Sequence, residues 1–123
     1  MKQRIFVIDD EVPICELLTK FFSKRGYEVS TAHSAEAARV QLADQSFDLT
    51  ILDVLLPDTD GLVFLESIKR MHPNMPIVIM TGIGFDEELL QESIQKGASG
   101  YISKTLPLDQ LLMEVHRILK PVR

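Results

Sequence analysis

The sequence predicts an α/β fold in which five strand–helix units follow one another, forming a parallel sheet with helices packed on its faces. Three observations point to it. Short runs rich in Val and Ile occur at 5–8, 49–52 and 77–80, each continuous rather than alternating, as strands buried on both faces read. The stretches between them repeat apolar residues at helical spacing. The length of 123 residues suffices for one such core and not for two, so a single domain over 1–123 is expected.

Taken in order, Ile5 to Ile8 is the first strand, and Ile14, Leu17, Leu18, Phe21 and Phe22 mark the inner face of the first helix. After Gly26, Tyr27 to Ala32 is a weaker strand, and Ser34 is placed to cap the second helix with Glu36 in its first turn. Leu49 to Leu52 is the third strand, and the third helix begins near Gly61. Ile77 to Met80 is the fourth strand; Asp86 caps the fourth helix, with Glu87 and Glu88 suited to its dipole. Lys96-Gly97 ends that helix before a second weak strand, Ser99 to Ser103. Leu108, Leu111, Leu112, Val115 and Leu119 form the inner face of the last helix. Strict alternation implies right-handed crossovers and a ligand site at the carboxyl ends of the strands.

Composition narrows the function. Apolar residues at 46% and charged residues at 25% are ordinary for a folded soluble domain. No apolar run reaches the roughly 20 residues needed to span a bilayer, and Met1-Lys2-Gln3-Arg4-Ile5 lacks a signal peptide's cleavage region, so no membrane role and a cytoplasmic location are expected. The lone Cys15 cannot pair internally and is expected as a small buried side chain. A net charge of −5 argues against direct nucleic-acid binding, which requires clustered Lys and Arg. His33, His72 and His116 lack the spacing of a metal site. Asp58 and Asp60 are accounted for by turn formation and capping of the third helix.

The chemistry lies where the strands end: Asp9-Asp10-Glu11 after the first, Asp53 after the third, Thr81-Gly82 after the fourth, Ser103-Lys104 after the fifth. Carboxylates gathered at neighbouring strand tips raise one another's pKa unless a cation joins them. An all-oxygen cluster suits Mg²⁺, which is commonly held by one or two carboxylates, waters and a substrate phosphate. Asp9, Asp10 and Asp53 can supply the carboxylates. Asp53 stands amid Leu49, Ile51, Leu52, Val54, Leu55 and Leu56, an arrangement unfavourable for a charge without a partner, and is the nucleophile candidate. Lys104 can pair with Asp53 and then with an incoming phosphoryl group, and Thr81 adds a hydroxyl donor.

From Phe6 to Leu119 the chain resembles the receiver domains of two-component response regulators, the CheY-like family. The resemblance rests on Val7-Ile8-Asp9-Asp10-Glu11, Asp53-Val54-Leu55-Leu56-Pro57-Asp58-Thr59-Asp60-Gly61, Met80-Thr81-Gly82 and Gly100-Tyr101-Ile102-Ser103-Lys104, in that order. It implies a doubly wound, flavodoxin-like sheet of strand order 2-1-3-4-5. It also implies that Asp53 is the phosphoacceptor, that Asp10 and Asp53 bind Mg²⁺ directly with the Leu55 carbonyl, and that Asp9 supports the ion through water. Thr81 and Lys104 would hold phosphoryl oxygens, and Tyr101 would be an aromatic switch that follows Thr81. The implied donor is a histidine kinase or histidine phosphotransfer protein, and the implied output runs through the fourth helix, fifth strand and fifth helix to a partner or effector domain, with homodimerisation on activation left open. On this reading the chain is not a conventional enzyme, although it catalyses its own aspartyl phosphorylation and slow dephosphorylation.

The chain departs from the family pattern in two respects. Lys104 is followed by Thr105, where receivers usually have proline after a cis peptide; a cis bond here would cost roughly 2.5–4 kcal/mol, so a trans or a strained bond is expected. Leu55 and Ile83, two residues beyond Asp53 and Thr81, are apolar and cannot orient an attacking water. A phosphohydrolase with an aspartyl phosphate would need a second Asp at position 55, and a flavodoxin-like electron carrier would need a hydroxyl- and glycine-rich loop at Asp9-Asp10. The alternative is a receiver-like interaction module that does not use phosphorylation.

Overall fold

The computed structural model describes residues 2–82, 86–105 and 107–119. Its elements alternate without exception: β1 (Arg4–Ile8), α1 (Val12–Ser23), β2 (Glu28–Ala32), α2 (Ala35–Asp44), β3 (Leu49–Asp53), α3 (Gly61–Met71), β4 (Ile77–Thr81), α4 (Glu87–Gln95), β5 (Gly100–Ser103) and α5 (Leu108–Ile118). The five strands are parallel and ordered β2-β1-β3-β4-β5, as expected for the doubly wound fold.

The strength of each strand's apolar signal follows its place in that order. β3 and β4 are interior and buried at every position, and β1, also interior, is half-buried only at its Arg4 end. The edge strands β2 and β5 are half covered, which is why 27–32 and 99–103 read weakly. Tyr27, read as part of the second strand, precedes it and packs edge-on against Phe22, ring centroids 5.7 Å apart.

Two apolar layers flank the sheet. Phe6, Ile8, Leu52 and Ile79 meet α2 and α3 through Ala38, Leu42, Phe64, Leu65 and Ile68. Ile5, Val7, Ile51 and Val78 meet α1 and α5 through Cys15, Leu18, Phe22, Leu111 and Val115. Successive residues of a strand point to opposite faces, so a run apolar at every position feeds both layers. Leu17 is a correction: assigned to the inner face of the first helix, it is 46% exposed, while Cys15 takes the buried position next to Leu18.

The helix starts match the capping residues. Ser34 Oγ accepts from the Ala37 amide at 3.1 Å and Asp86 Oδ1 from the Leu89 amide at 3.2 Å. Asp60 caps α3, accepting from the Leu62 amide at 2.8 Å. Gly97 closes α4 with φ of +107°, a conformation most side chains avoid. Every βα connection thus leaves its strand at the same edge of the sheet, which gathers the polar strand ends.

Candidate functional site

The register explains why three carboxylates from distant parts of the chain converge. Ile8 lies opposite Leu52 in the β1–β3 pair, so Asp9 and Asp53 follow on adjacent strand tips. One carboxylate oxygen from each of Asp9, Asp10 and Asp53 lies within 4.8 Å of the others. Asp9 is fully buried and Asp53 is 2% exposed, whereas Asp10 faces outward.

Lys104 enters from β5. Its amide donates to the Thr81 carbonyl at 2.8 Å, continuing the β4–β5 pairing one residue past Ser103. Its ammonium lies 2.9 Å from Asp53 Oδ2, 2.9 Å from Asp9 Oδ2 and 2.6 Å from Glu11 Oε1. Burial works against the Lys104 charge, but the bonds to Glu11, Asp53 and Asp9 outweigh it and hold the ammonium above the ordinary lysine value. Burial raises the Asp9 carboxyl above its ordinary value, opposed by the Glu11 amide and by Lys104, while the charge of Asp53 adds to the rise. Asp9 Oδ2 is buried and poorly aligned to Lys104 at 2.9 Å, and it has no other partner among the described residues.

That buried, unaligned oxygen within a cluster of three carboxylates is what a small hard cation would satisfy. The donor set is all oxygen, and the residues present fit Mg²⁺.

The loop after β3 is tightly closed. Asp53 Oδ1 accepts from the Leu55 amide at 3.1 Å, Leu55 bridges Asp60, and the Gly61 amide donates to the Val54 carbonyl at 3.0 Å. A Cβ on Gly61 would lie 2.5 Å from the Val54 Cα and carbonyl oxygen, so only glycine fits this neck. The Leu55 side chain is 59% exposed beside the site.

Thr81 is fully buried at the tip of β4. Tyr101, two residues before Ser103 on β5, packs partly buried against the α2–α3 layer. Its hydroxyl is buried with no aligned hydrogen bond among the described residues, and burial raises its pKa. Ile83 lies outside the described residues. No cis peptide occurs among the described residues, so Lys104-Thr105 is trans; the Thr105 amide donates to Ser103 Oγ at 3.2 Å, closing the turn without proline.

Two residues named in the sequence had no role assigned to them in the site. Glu11 follows the aspartate pair, but its contact with Lys104, 93 residues away, exists only once β1 and β5 lie in one sheet. Asp58 is a correction: it caps α2 rather than serving its own turn or α3, accepting from the Ala35 amide at 2.9 Å and the Glu36 amide at 3.0 Å. No local pattern links positions 35 and 58.

The profile of the response regulator receiver domain matches residues 5–116, nearly the whole chain. The chain belongs to this family. Receiver domains of two-component response regulators act in general as phosphorylation-dependent switches rather than as conventional enzymes. This receiver is 34% identical over 119 residues to the transcriptional regulatory protein ZraR of Salmonella typhimurium, a match covering 97% of this chain and 27% of that protein. It therefore spans about a quarter of that relative's length. The crystal structure of the receiver domain of NtrX from Brucella abortus superposes with a TM-score of 0.88 at 35% identity, covering 96% of this chain and 99% of that one. The response regulator TrrA of Thermotoga maritima, solved in complex with Mg²⁺-BeF, gives a TM-score of 0.85 at 31% identity over 95% of this chain and 99% of that one.

Proposed function

We propose that this receiver is a phosphorylation-activated signalling switch that takes a phosphoryl group onto Asp53 from a phosphohistidine donor, on a histidine kinase or a histidine phosphotransfer protein, in a Mg²⁺-dependent reaction. The observation that carries the reading is the placement of one ammonium, Lys104, between the buried Asp9 and Asp53 carboxylates at 2.9 Å each, beside a third carboxylate on Asp10. The Mg²⁺-BeF complex of TrrA supports the same chemistry for this chain.

Asp10 and Asp53, with the Leu55 carbonyl, would hold Mg²⁺, and Asp9 would support it through water. The ion, when bound, neutralises charge on the carboxylates and on the phosphoryl oxygens. A carboxylate oxygen of Asp53 attacks phosphorus, forming a P–O bond as the P–N bond to the donor imidazole breaks, and the imidazole leaves with the bonding pair. Lys104 and Thr81 then hold phosphoryl oxygens, so the protein's share of catalysis is positioning and charge. Because Lys104 is bonded to Asp53, Asp9 and Glu11, transfer requires it to redistribute its contacts. That redistribution, with Thr81 and Tyr101, biases the face of α4, β5 and α5, which is the output surface. The buried Tyr101 hydroxyl, without an aligned hydrogen bond among the described residues, suits a side chain that changes position when Thr81 does.

The partner on that face would be an output protein or a linked effector domain, with gene control the class suggested by the relatives, and homodimerisation on activation compatible with it. No helix among the described residues is long and apolar enough to cross a membrane. As a two-component receiver, the domain would act in the cytoplasm.

The test is intact mass after incubation with a small acyl phosphate, with and without Mg²⁺, on the wild type and on Asp53→Asn. A phosphoryl adduct is expected only on the wild type and only with Mg²⁺. A folded wild type that takes no adduct from the acyl phosphate, and none from a histidine kinase donor, would overturn the reading in favour of a phosphorylation-independent interaction module.

A further inference from the structure

We infer that Asp58 is a positioning residue for the metal and phosphoryl site, tying the loop that carries Asp53 and Leu55 to the start of α2. The inference rests on the proposed reading of the Asp9, Asp10 and Asp53 cluster as a Mg²⁺ site.

The start of α2 needs few further partners of its own. Ser34 Oγ satisfies the Ala37 amide and the Ser34 carbonyl takes the Ala38 amide at 3.0 Å. The Ala35 and Glu36 amides are taken one by each oxygen of Asp58, from 23 and 22 residues along the chain. The carboxylate is held below its ordinary pKa by these two amides, in keeping with a bidentate contact to the ionised form.

That contact closes a ring around the acidic cluster. The Asp9 amide donates to the Ala32 carbonyl at 3.0 Å, so the tip of β1 is fixed to the end of β2. Ala32 leads through His33 and Ser34 into α2, and α2 holds Asp58. From Asp58 the chain runs back to Leu55, whose amide is bonded to Asp53 Oδ1. Both sides of the cluster are therefore referred to one anchor. Neighbouring carboxylates repel, and a loop closed only at its neck by Leu55–Asp60 and Val54–Gly61 could relieve that repulsion by swinging its tip outward. The two Asp58 bonds oppose that movement and keep the Leu55 backbone, bonded through its amide to Asp53 Oδ1, in place before the ion arrives.

The experiment compares Mg²⁺ affinity, measured by calorimetric titration with MgCl₂ at constant ionic strength, for the wild type, Asp58→Ala, Asp58→Asn and Ser34→Ala, each at a temperature well below its melting point. Ser34→Ala removes a cap from the same helix without touching the loop, so it reports what loss of helix stability alone does. Asp58→Ala is expected to weaken Mg²⁺ binding about tenfold, the low end of what partners behind metal ligands contribute. Asp58→Asn, which keeps one acceptor, should fall between, and Ser34→Ala should bind like the wild type. Equal affinity in Asp58→Ala and the wild type, or equal losses in Asp58→Ala and Ser34→Ala, would overturn the inference and leave the Mg²⁺ site standing. A wild type that binds no Mg²⁺ would remove both.

Discussion

Leu55 shows how much a single side chain beside this site can decide. Its amide is fixed to Asp53 Oδ1 at 3.1 Å, so its Cβ has a defined place two residues from the proposed phosphoacceptor, yet the side chain offers neither donor nor acceptor and is 59% exposed. Replacing it with asparagine adds both at a point where water has access. One well-placed hydrogen bond is worth about 1 kcal/mol, or about fivefold in rate. Leu55→Asn is therefore expected to lose its phosphoryl adduct about fivefold faster than the wild type, followed by intact mass after removal of the donor. Equal or slower loss would show that Leu55 does not set the lifetime of the phosphoaspartate.

The elements explain what was legible before any coordinates. β1, β3 and β4 announced themselves because an interior strand must be apolar on both faces, and Ser34, Asp86 and Gly97 marked helix ends because the backbone there needs a cap or a positive φ. Asp9, Asp10, Asp53 and Lys104 were legible as a group because strand tips in such a sheet meet at one edge, and the structure brings these four together. Leu17 and Asp58 were not. Five apolar residues spread over one helix cannot all face the sheet, and the period alone does not say that Leu17 is the one left 46% exposed; a carboxylate that caps a helix 22 residues upstream leaves no local trace. The neck of the β3–α3 loop supplies a prediction at this scale. Gly61→Ala improves helix propensity by at most about 1 kcal/mol. Against that, the new methyl would meet the Val54 backbone at 2.5 Å, where no flexible side chain can yield. Overpacking of this kind costs about 1–3 kcal/mol, so the clash outweighs the propensity. The variant is expected to melt a few degrees lower, about 3–6 °C per kcal/mol for a domain of this size, read by circular dichroism. An unchanged or higher melting temperature would mean that the neck can open without loss.

For the molecule as a whole, the acidic cluster is a place where stability and function pull against each other. Asp9 is fully buried, its Oδ2 makes no aligned hydrogen bond, and it shares the site with the Asp10 and Asp53 carboxylates around a single ammonium. Without a cation, the burial of Asp9 and its repulsion from Asp53 oppose folding. Asp9→Asn removes that charge at nearly constant shape. The asparagine oxygen can still accept from the Glu11 amide, as Asp9 Oδ1 does at 2.8 Å; its amide nitrogen then stands where Oδ2 faced Lys104, and the ammonium shifts toward Glu11 and Asp53, its remaining partners. The variant is therefore expected to be more stable than the wild type in EDTA by about 1 kcal/mol, a few degrees in melting temperature. Mg²⁺ should reverse the order. A ligand at a hundred times its dissociation constant stabilises the folded state by about 2.7 kcal/mol, and the variant, with a weakened site, should collect much less of this than the wild type. Thermal melts of both proteins in EDTA and in excess MgCl₂ read the crossover directly. A variant less stable than the wild type already in EDTA would mean that the Asp9–Lys104 ion pair contributes more than burial and repulsion take away, and that the cluster is a structural pair before it is a metal site.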